Sequence, residues 1–351
     1  MIPTVEQILM TAKRAGASDV HITVGVPPKM RVNGHLITMD FPKMLPPDTN
    51  QLISEILTEK QRVLFEEKGE HDMSFSIPNL GRYRVNAYKQ RGSVAIALRL
   101  VGTQVPSPEV LGVPKSVIDL YQRKRGLVLV TGPTGSGKST TLAAIIDKIN
   151  NNRECHVITL EDPIEYLHRH QKSIVSQREV TIDTQDYLSA LRACVRQAPD
   201  VILLGEMRDA ETMHTAMSAA ETGHMVIATL HTKGAANAID RIIDMFPSTQ
   251  QPQIRIQLAT VLKTVVSQQL LPDKDGGMIP ACEIMHASGA IRSMIRDNKN
   301  HQIDNAIAAG GAEGMISMDQ AILKHYREGK ITKETALLYA DRPEQMKRNL
   351  T

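Results

Sequence analysis

A glycine-rich segment at residues 132–140 has the composition and spacing of a phosphate-binding loop. It reads GPTGSGKST, matches GxxxxGK[ST], and lies between the apolar run GLVLVT and the helical pattern TLAAIIDKI. Such glycines let backbone N–H groups surround phosphate oxygens at a helix N-terminus. A simple glycine turn is the weaker alternative in this context. The predicted nucleotide-binding residues are Gly132, Pro133, Thr134, Gly135, Ser136, Gly137, Lys138, Ser139 and Thr140. Lys138 would reach the β- and γ-phosphates, and the Ser139 hydroxyl would bind Mg²⁺.

A carboxylate follows the apolar run at residues 201–204. The run continues into Gly205 and Glu206, the form of a Walker B strand in which glycine replaces the first acid. In open α/β sheets, ligands bind outside the carboxyl ends of the strands. We therefore predict that Glu206 polarises the attacking water as a general base. A solvated glutamate after a core strand is the alternative.

An acidic cluster follows another apolar run at residues 156–160. The segment TLEDPIEY places Glu161 and Asp162 directly before a proline. These two carboxylates could hold Mg²⁺ through water molecules, as this ion prefers, and so replace the acid missing at position 205. Taken alone, the cluster is more typical of a helix-capping loop, but a neighbouring nucleotide favours the metal interpretation.

Two histidines bracket the apolar run at residues 225–230. Seven residues of strand would hold His224 and His231 about 20 Å apart, too far to share a metal ion. We predict that His231 lies near the γ-phosphate and donates a hydrogen bond to it. A structural role is the alternative for both histidines, and for His224 neither interpretation is favoured.

Two arginines near the N-terminus lie two positions apart. Arg82 and Arg84 fall in a strand-like run and so share one face of it. One interpretation is a solvated basic face. The other, which we adopt as a prediction, is a phosphate clamp that acts on the nucleotide of a neighbouring subunit.

The elements that must position these residues fall into two domains. Residues 1–100 combine a helical pattern at 4–15, one or two helices at 48–68 and six short strand-like runs, with Asn33-Gly34 as a hairpin turn. These patterns predict a small α+β domain built on an antiparallel sheet. Residues 101–115 contain three prolines and two glycines and read as a linker.

In residues 116–351, short apolar runs alternate with helical patterns. This alternation predicts an α/β domain with a mainly parallel sheet covered on both faces. From about residue 249 the pattern becomes mostly helical, with a helix expected over 249–270 and a frayed tail at the C-terminus.

Composition excludes several classes of protein. A net charge of +3 and 3% aromatic residues argue against nucleic acid as a partner. The three cysteines form no CxxC pair, which excludes a zinc ribbon, and their odd number argues against a disulfide framework. The sequence contains no apolar run of transmembrane length and no signal-peptide pattern, so we expect a cytoplasmic protein.

Four boxes in fixed order resemble the type II/IV secretion ATPase superfamily, and most closely the type IV pilus retraction ATPases (the PilT family). They are GPTGSGKSTT, ITLEDPIEY, VILLGEMRD and GHMVIATLHT, and the N-terminal segments ASDVHI and RYRVNAYKQRG match as well. Residues 290–297 read AIRSMIRD, where retraction ATPases carry AIRNLIRE. The three changed positions depart mildly from that motif.

The resemblance implies a PAS-like N-terminal domain followed by a RecA-like P-loop ATPase domain, assembled as a homohexamer. It implies ATP and Mg²⁺ as ligands, Glu206 as catalytic base, and arginines supplied by a neighbouring N-terminal domain. It also implies pilus retraction and twitching motility, driven through an inner-membrane platform protein at the cytoplasmic face of that membrane. A pilus-extension or type II secretion ATPase remains an alternative, as does a nucleotide-binding regulator without turnover, which only Gly205 supports.

Overall fold

The computed structural model describes residues 2–78, 80–102 and 105–350. The chain divides into two compact units, Met1–Gln104 with Pro163–Leu167, and Val105–Asp162 with His168–Thr351. Tyr166 forms an isolated parallel bridge with Gly102, and the Leu167 amide donates to the Gly102 carbonyl at 3.1 Å. Residues 163–167 thus join the first unit, although the sequence placed them inside a continuous second domain.

The first unit is an α+β structure on one six-stranded antiparallel sheet, in the order β3-β2-β1-β6-β5-β4. Its elements are α1 (Val5–Arg14), β1 (Asp19–Ile22), β2 (Lys29–Val32), β3 (His35–Thr38), α2 (Pro46–Ile56), α3 (Glu59–Lys68), β4 (Glu70–Ile77), β5 (Gly81–Gln90) and β6 (Ser93–Leu100).

Local sequence explains the turns and helix ends of this unit. Thr4 caps α1 through a capping box with Gln7, and α1 buries its apolar stripe in the core. Asn33 and Gly34 both have positive φ (48° and 82°), as a tight hairpin turn requires. The predicted hairpin is confirmed, and the segment at 48–68 forms two helices because Thr58 begins a second capping box.

The second unit is an α/β structure on a seven-stranded sheet in the order β13-β12-β7-β11-β10-β8-β9. Its elements are α4 (Pro108–Leu111), α5 (Lys115–Ile118), a 3₁₀ turn (Asp119–Gln122), β7 (Gly126–Thr131), α6 (Lys138–Asn152), β8 (His156–Glu161), β9 (Ile174–Glu179), α7 (Tyr187–Cys194), β10 (Val201–Leu204), α8 (Ala210–Glu221), β11 (Met225–Leu230), α9 (Ala235–Asp244), α10 (Gln251–Val261), β12 (Leu262–Pro272), β13 (Met278–His286), α11 (Gly289–Arg296), a 3₁₀ turn (Asn300–Gln302), α12 (Ile303–Ala309), a 3₁₀ turn (Gly310–Glu313), α13 (Met318–Arg327), α14 (Lys333–Tyr339) and α15 (Pro343–Asn349).

All neighbouring strands of this sheet run parallel except the pair β12–β13. Strands β7, β10 and β11 are buried at every position. Helices cover both faces, since separate apolar clusters lie on each side of the strands. The predicted α/β class and parallel sheet are confirmed.

The expectation of a helix over residues 249–270 is wrong beyond residue 261. Strands β12 and β13 form an antiparallel pair that extends the sheet next to β7. Eight consecutive residues of β12, 264–271, are buried except for a half-buried Leu270, so its sequence shows no alternation that would reveal a strand. Strand β9 was not anticipated. The expectation of a frayed tail is wrong for residues 343–350, because α15 buries Met346 and Leu350 packs in the same cluster.

Candidate functional site

The motifs singled out in the second unit meet at one edge of its sheet. Strands β7, β11, β10 and β8 are parallel neighbours in that order. Their carboxyl ends lie side by side, with Leu230 opposite Thr131, and Leu204 opposite both Ala228 and Leu160. The glycine-rich loop, His231 and Glu206 each follow one of these strands, and Glu161 is the last residue of β8. Elements up to 100 residues apart in sequence therefore supply one site.

The glycine-rich loop has the backbone conformation that its glycines predict. Gly132, Gly135 and Gly137 all have positive φ, and Gly137 leads directly into α6. A Cβ at Gly132 would lie 2.2 Å from the Gln268 carbonyl oxygen, so no side chain fits there. The buried Lys138 Nζ donates to the carbonyl oxygens of Gly132 and Pro133 at 2.7 and 3.0 Å. The loop thus curls around the lysine ammonium group.

Gln268 on β12 supports this loop and was missed in the sequence. Its side chain is buried, and its Nε2 donates to the Ser136 carbonyl at 2.7 Å. Its Oε1 accepts from the Thr141 hydroxyl at 2.8 Å. One amide therefore ties the loop to the first turn of α6. The only signal in the sequence was a pair of glutamines inside an apolar run, which points to buried polar roles once that run is known to be a strand.

The loop fits a phosphate group. The Ser136 hydroxyl and the Thr131 hydroxyl are buried without a hydrogen-bond partner. A Cβ built on Gly135 would meet no atom within 4 Å, so the outer side of the loop is open. The N-terminus of α6, a 15-residue helix, points its free N–H groups at the same place. A cradle of unsatisfied donors around a lysine is what a phosphate requires.

Glu206 is held by two basic side chains. Arg208 donates to its Oε2 from Nε at 2.8 Å, and His231 Nε2 lies 3.1 Å from its Oε1. Burial raises the pKa of Glu206, but the bonds and charges of Arg208 and His231 outweigh burial and lower it below its ordinary value. Glu206 is therefore ionised at neutral pH. With Arg208, His231 and Arg241 it lines a cavity of about 280 Å³.

Position 205 has no room for the usual acid. A Cβ on Gly205 would lie 2.8 Å from Tyr187 Oη and 3.1 Å from the Leu160 carbonyl oxygen. The Gly205 carbonyl also accepts a bond from the Thr229 hydroxyl of the neighbouring strand. Burial first, and then nearby carboxylates such as Asp162, raise the pKa of Tyr187 far above its ordinary value, so its hydroxyl stays protonated. Tyr187 was not singled out in the sequence.

The acidic cluster at the end of β8 lies at the same edge. Glu161 Oε1 accepts from the Thr159 hydroxyl at 2.6 Å and from Gln177 Nε2 at 3.2 Å, while Asp162 is exposed. Strand β8 is three strand positions from β7, which is about 14 Å at the usual spacing. Water would have to bridge that distance if these carboxylates and Ser139 serve one ion. Within the described ranges, no three His, Cys, Asp or Glu side chains form a metal-binding group.

The remaining candidates are His224, the two arginines of β5 and Glu165, none of which directly follows β7, β10 or β11 in the chain. His224 precedes β11 at the opposite edge of the sheet, where its Nδ1 lies 2.9 Å from the Ala219 carbonyl oxygen; this geometry indicates a structural role. In the first unit, Arg82 and Arg84 alternate with the buried Tyr83 and Val85, so they share the outward face of β5. Glu165 belongs to the first unit as well.

Comparison with known proteins identifies this arrangement. The family model described as type II/IV secretion system protein matches residues 1–289. The chain belongs to this family.

The similarity to individual members of the family extends from end to end. The chain is 43% identical over 340 residues to the type IV pilus retraction ATPase PilT of Pseudomonas aeruginosa, covering 97% of this chain and 99% of that protein. It is 42% identical over 320 residues to a twitching motility protein of Neisseria gonorrhoeae, covering 91% and 86%. A crystal structure of the pilus retraction motor PilT with bound ADP matches with a TM-score of 0.92, at 46% identity and 99% coverage of both chains.

The predicted resemblance to the pilus retraction ATPases is thereby confirmed, and the protein is an ATPase of this family. The ADP bound in the matched structure supports nucleotide binding by the members of this family. In the part of the chain that the structure describes, no helix has the length and apolar character needed to span a bilayer.

Proposed function

We propose that this protein is a hexameric motor ATPase that powers the retraction of type IV pili. The similarity to a retraction ATPase over nearly the full length of both chains carries the proposal. The site supports it, because a phosphate-binding loop and an ionised glutamate lie at one sheet edge. Residues 1–100 would form the PAS-like domain and 116–351 the RecA-like ATPase domain, joined by the linker at 101–115.

The site residues suit hydrolysis of ATP to ADP and phosphate. Lys138 and the N–H groups of residues 132–140 would bind the β- and γ-phosphates. Glu206 would take a proton from water as the water oxygen bonds to the γ-phosphorus and the bond to the β–γ bridging oxygen breaks. His231, beside Glu206, would donate to the γ-phosphate. Arg208 keeps the carboxylate ionised and oriented.

Magnesium would bind at the same edge. The Ser139 hydroxyl is exposed at the start of α6 and supplies an oxygen ligand, while Glu161 and Asp162 would hold the ion through water. The ion would supply charge neutralisation for the phosphates and orient them.

The motor role adds partners beyond the single chain. In a ring of six, Arg82 and Arg84 would act on the nucleotide of the neighbouring subunit, since arginine's planar charge suits the phosphoryl group being transferred. The ring would turn a platform protein at the cytoplasmic face of the inner membrane and so extract pilin. No nucleic acid takes part.

A non-hydrolysing regulator loses its main support here. Gly205 suggested a degraded Walker B strand, but Tyr187 fills the space of a side chain at that position. The missing acid is therefore explained by the packing beside Glu206.

The test is a deletion strain of the source organism, complemented with either the parental chain or Lys138→Ala. We expect the deletion to abolish twitching motility and to increase surface pili, and only the parental chain to reverse both. Loss of surface pili would instead assign the protein to pilus extension. A parental turnover rate for the purified Lys138→Ala protein would contradict the assignment of the phosphate-binding loop.

A further inference from the structure

Four cationic side chains lie at the sheet edge opposite the phosphate-binding loop. Strand β7 begins at Gly126 and β12 begins at Leu262, and the two run parallel. Arg123 and Arg125 precede β7, Lys263 lies at the start of β12, and Arg292 follows β13 on α11. We name these four residues the basic edge. The six residues of β7 separate it from the loop by about 20 Å.

The Lys263 side chain is built into this edge. Gly126 has φ +100°, and a Cβ there would lie 2.4 Å from Lys263 Cε and 2.6 Å from its Cγ. The lysine stem thus lies across the bare backbone of residue 126 and is only partly exposed. Burial, followed by the charges of Arg292, Arg125 and Arg123, lowers the pKa of Lys263. The backbone register supports this grouping, because Leu262 lies opposite Leu127 and the chain before β7 therefore runs beside the start of β12.

Hydrogen bonds fix the Arg292 side chain and the backbone at Arg123. Arg292 Nε donates to the Ala287 carbonyl at 2.9 Å, and the Ala287 amide donates to the Lys263 carbonyl at 3.0 Å. Helix α11 is anchored by the fully buried Ile291 and Ile295. On the other side, Arg153 donates to the Arg123 carbonyl at 2.8 Å and so fixes the backbone before β7. This gives a role to the AIRSMIRD segment, which the proposed chemistry does not use.

The basic edge has no carboxylate paired with it among the residues that the structure describes. Across residues 2–78, 80–102 and 105–350, none of its four cations forms an ion pair within 4.0 Å. Burial and then the charge of Arg123 lower the pKa of the half-buried His286, and Glu313, a carboxylate of the same region, opposes that shift without pairing with any of the four cations in the described ranges. Lys263 and Arg292 are half-buried, whereas Arg123 and Arg125 are exposed. Gathering like charges around a half-buried ammonium group costs free energy, which a bound anion would offset.

We propose that the basic edge is a second anion site, which binds a phosphoryl group. A phosphoryl group concentrates up to two negative charges and three acceptor oxygens on one centre. This suits a site in which several cationic side chains are grouped around one lysine. A single carboxylate supplies only one charge. The phosphoryl group belongs either to a free phosphorylated small molecule or to a phospholipid headgroup.

The first experiment measures pyrophosphate binding by calorimetry on full-length protein saturated with ADP, so that the phosphate-binding loop is filled. We expect binding that Lys263→Met and Arg292→Gln each weaken by about tenfold or more, the worth of a charged hydrogen bond. Lys263→Met keeps the stem that packs on Gly126. Arg296→Gln removes an exposed charge from the same helix and should leave the affinity unchanged. If Lys263→Met fails to fold, Arg123→Gln, which changes an exposed side chain, replaces it in the same binding measurement.

The affinity for ADP should stay parental in all these variants, because the basic edge lies away from the loop. Cosedimentation with phosphatidylglycerol vesicles, compared with phosphatidylcholine vesicles, distinguishes the two sources. Binding to the first vesicles that is lost in Lys263→Met indicates a lipid headgroup; pyrophosphate binding without vesicle binding indicates a free ligand. The proposal is overturned if neither probe binds, if the variants bind both probes like the parent, or if only a polyglutamate peptide binds.

Discussion

The hydroxyl of Tyr187 takes the space that a side chain at position 205 would need, since a Cβ on Gly205 would lie 2.8 Å from it. Tyr187 begins α7, whereas Gly205 follows β10, so two separate elements together decide that Glu206 stands alone after its strand. The Leu160 carbonyl closes the same space from β8 at 3.1 Å.

Gly205→Ala should therefore destabilise the protein, by about 1–3 kcal/mol as for other overpacked sites. Tyr187→Phe removes the closest atom, so the double variant Gly205→Ala/Tyr187→Phe should recover part of that loss. Thermal or denaturant unfolding of the four proteins gives the coupling between the two positions. Strictly additive effects would mean that the backbone around Leu160, and not Tyr187, excludes the side chain.

Glu206→Gln should separate binding from turnover. The amide has the shape of the carboxylate but cannot accept the proton, so turnover should fall by roughly 10²–10⁴ while ATP still binds. Steady-state hydrolysis and equilibrium nucleotide binding measure the two effects. If turnover persists, the base is Glu161 or Glu165, and their glutamine variants should be tested next. If binding is also lost, Glu206 serves mainly to hold Mg²⁺.

Arg208→Gln should change the pH dependence of hydrolysis. Burial raises the pKa of Glu206, and Arg208 and His231 together bring it below the ordinary value, so removing Arg208 raises it. The acid limb of kcat/KM should then move to higher pH, with little change above neutrality. Arg241→Gln, which lines the same cavity, is the matched control. An unmoved acid limb in Arg208→Gln would show that the limb belongs to another group.

The same pKa has a consequence for stability. A carboxyl group whose pKa is lowered in the folded state stabilises that state above its unfolded pKa, and this contribution is lost as the pH falls through the folded pKa. Any stability that the parent gains from Glu206 and Arg208 should therefore shrink in acid. The group is partly exposed, so the effect is small.

Gln268→Leu should weaken nucleotide binding through the loop. It leaves the Ser136 carbonyl and the Thr141 hydroxyl without their buried hydrogen-bond partner. Each unsatisfied group costs about 1–3 kcal/mol of stability. Its neighbour Gln269 is also buried but donates to the Tyr339 carbonyl. Gln269→Leu should therefore lose stability while keeping ADP affinity. Equal loss of ADP affinity in both variants would remove the special role of Gln268.

Arg84→Ala tests action across subunits. We expect subunits that bind ATP and turn over poorly, and we expect partial recovery when they are mixed with Lys138→Ala subunits. In mixed rings an intact loop on one subunit can meet an intact arginine on the next. Hydrolysis across a series of mixing ratios measures this effect. Mixed rings that stay inactive at every ratio would contradict it, and near-parental turnover of Arg82→Ala and Arg84→Ala alone would indicate a solvated basic face.

The sequence by itself determined the elements whose signals are local. The spacing of glycines and Lys138 predicts a loop conformation because glycine, which has no Cβ, adopts positive φ at no steric cost. Asn33-Gly34 and the capping boxes at Thr4 and Thr58 likewise depend on neighbours within four residues. Parallel pairing of apolar runs then places Glu206 and His231 at the loop's edge, because carboxyl ends of parallel strands meet there.

Only the tertiary structure decided what depends on distant partners. Strand β12 has no alternation because both its faces are buried, so a helix was expected there, and Gln268 could not be recognised as a support of the loop. The exclusion of a side chain at Gly205 comes from Tyr187, and the gathering of Lys263, Arg292 and Arg125 joins three distant segments. Such contacts arise from packing between elements, and no local pattern encodes them.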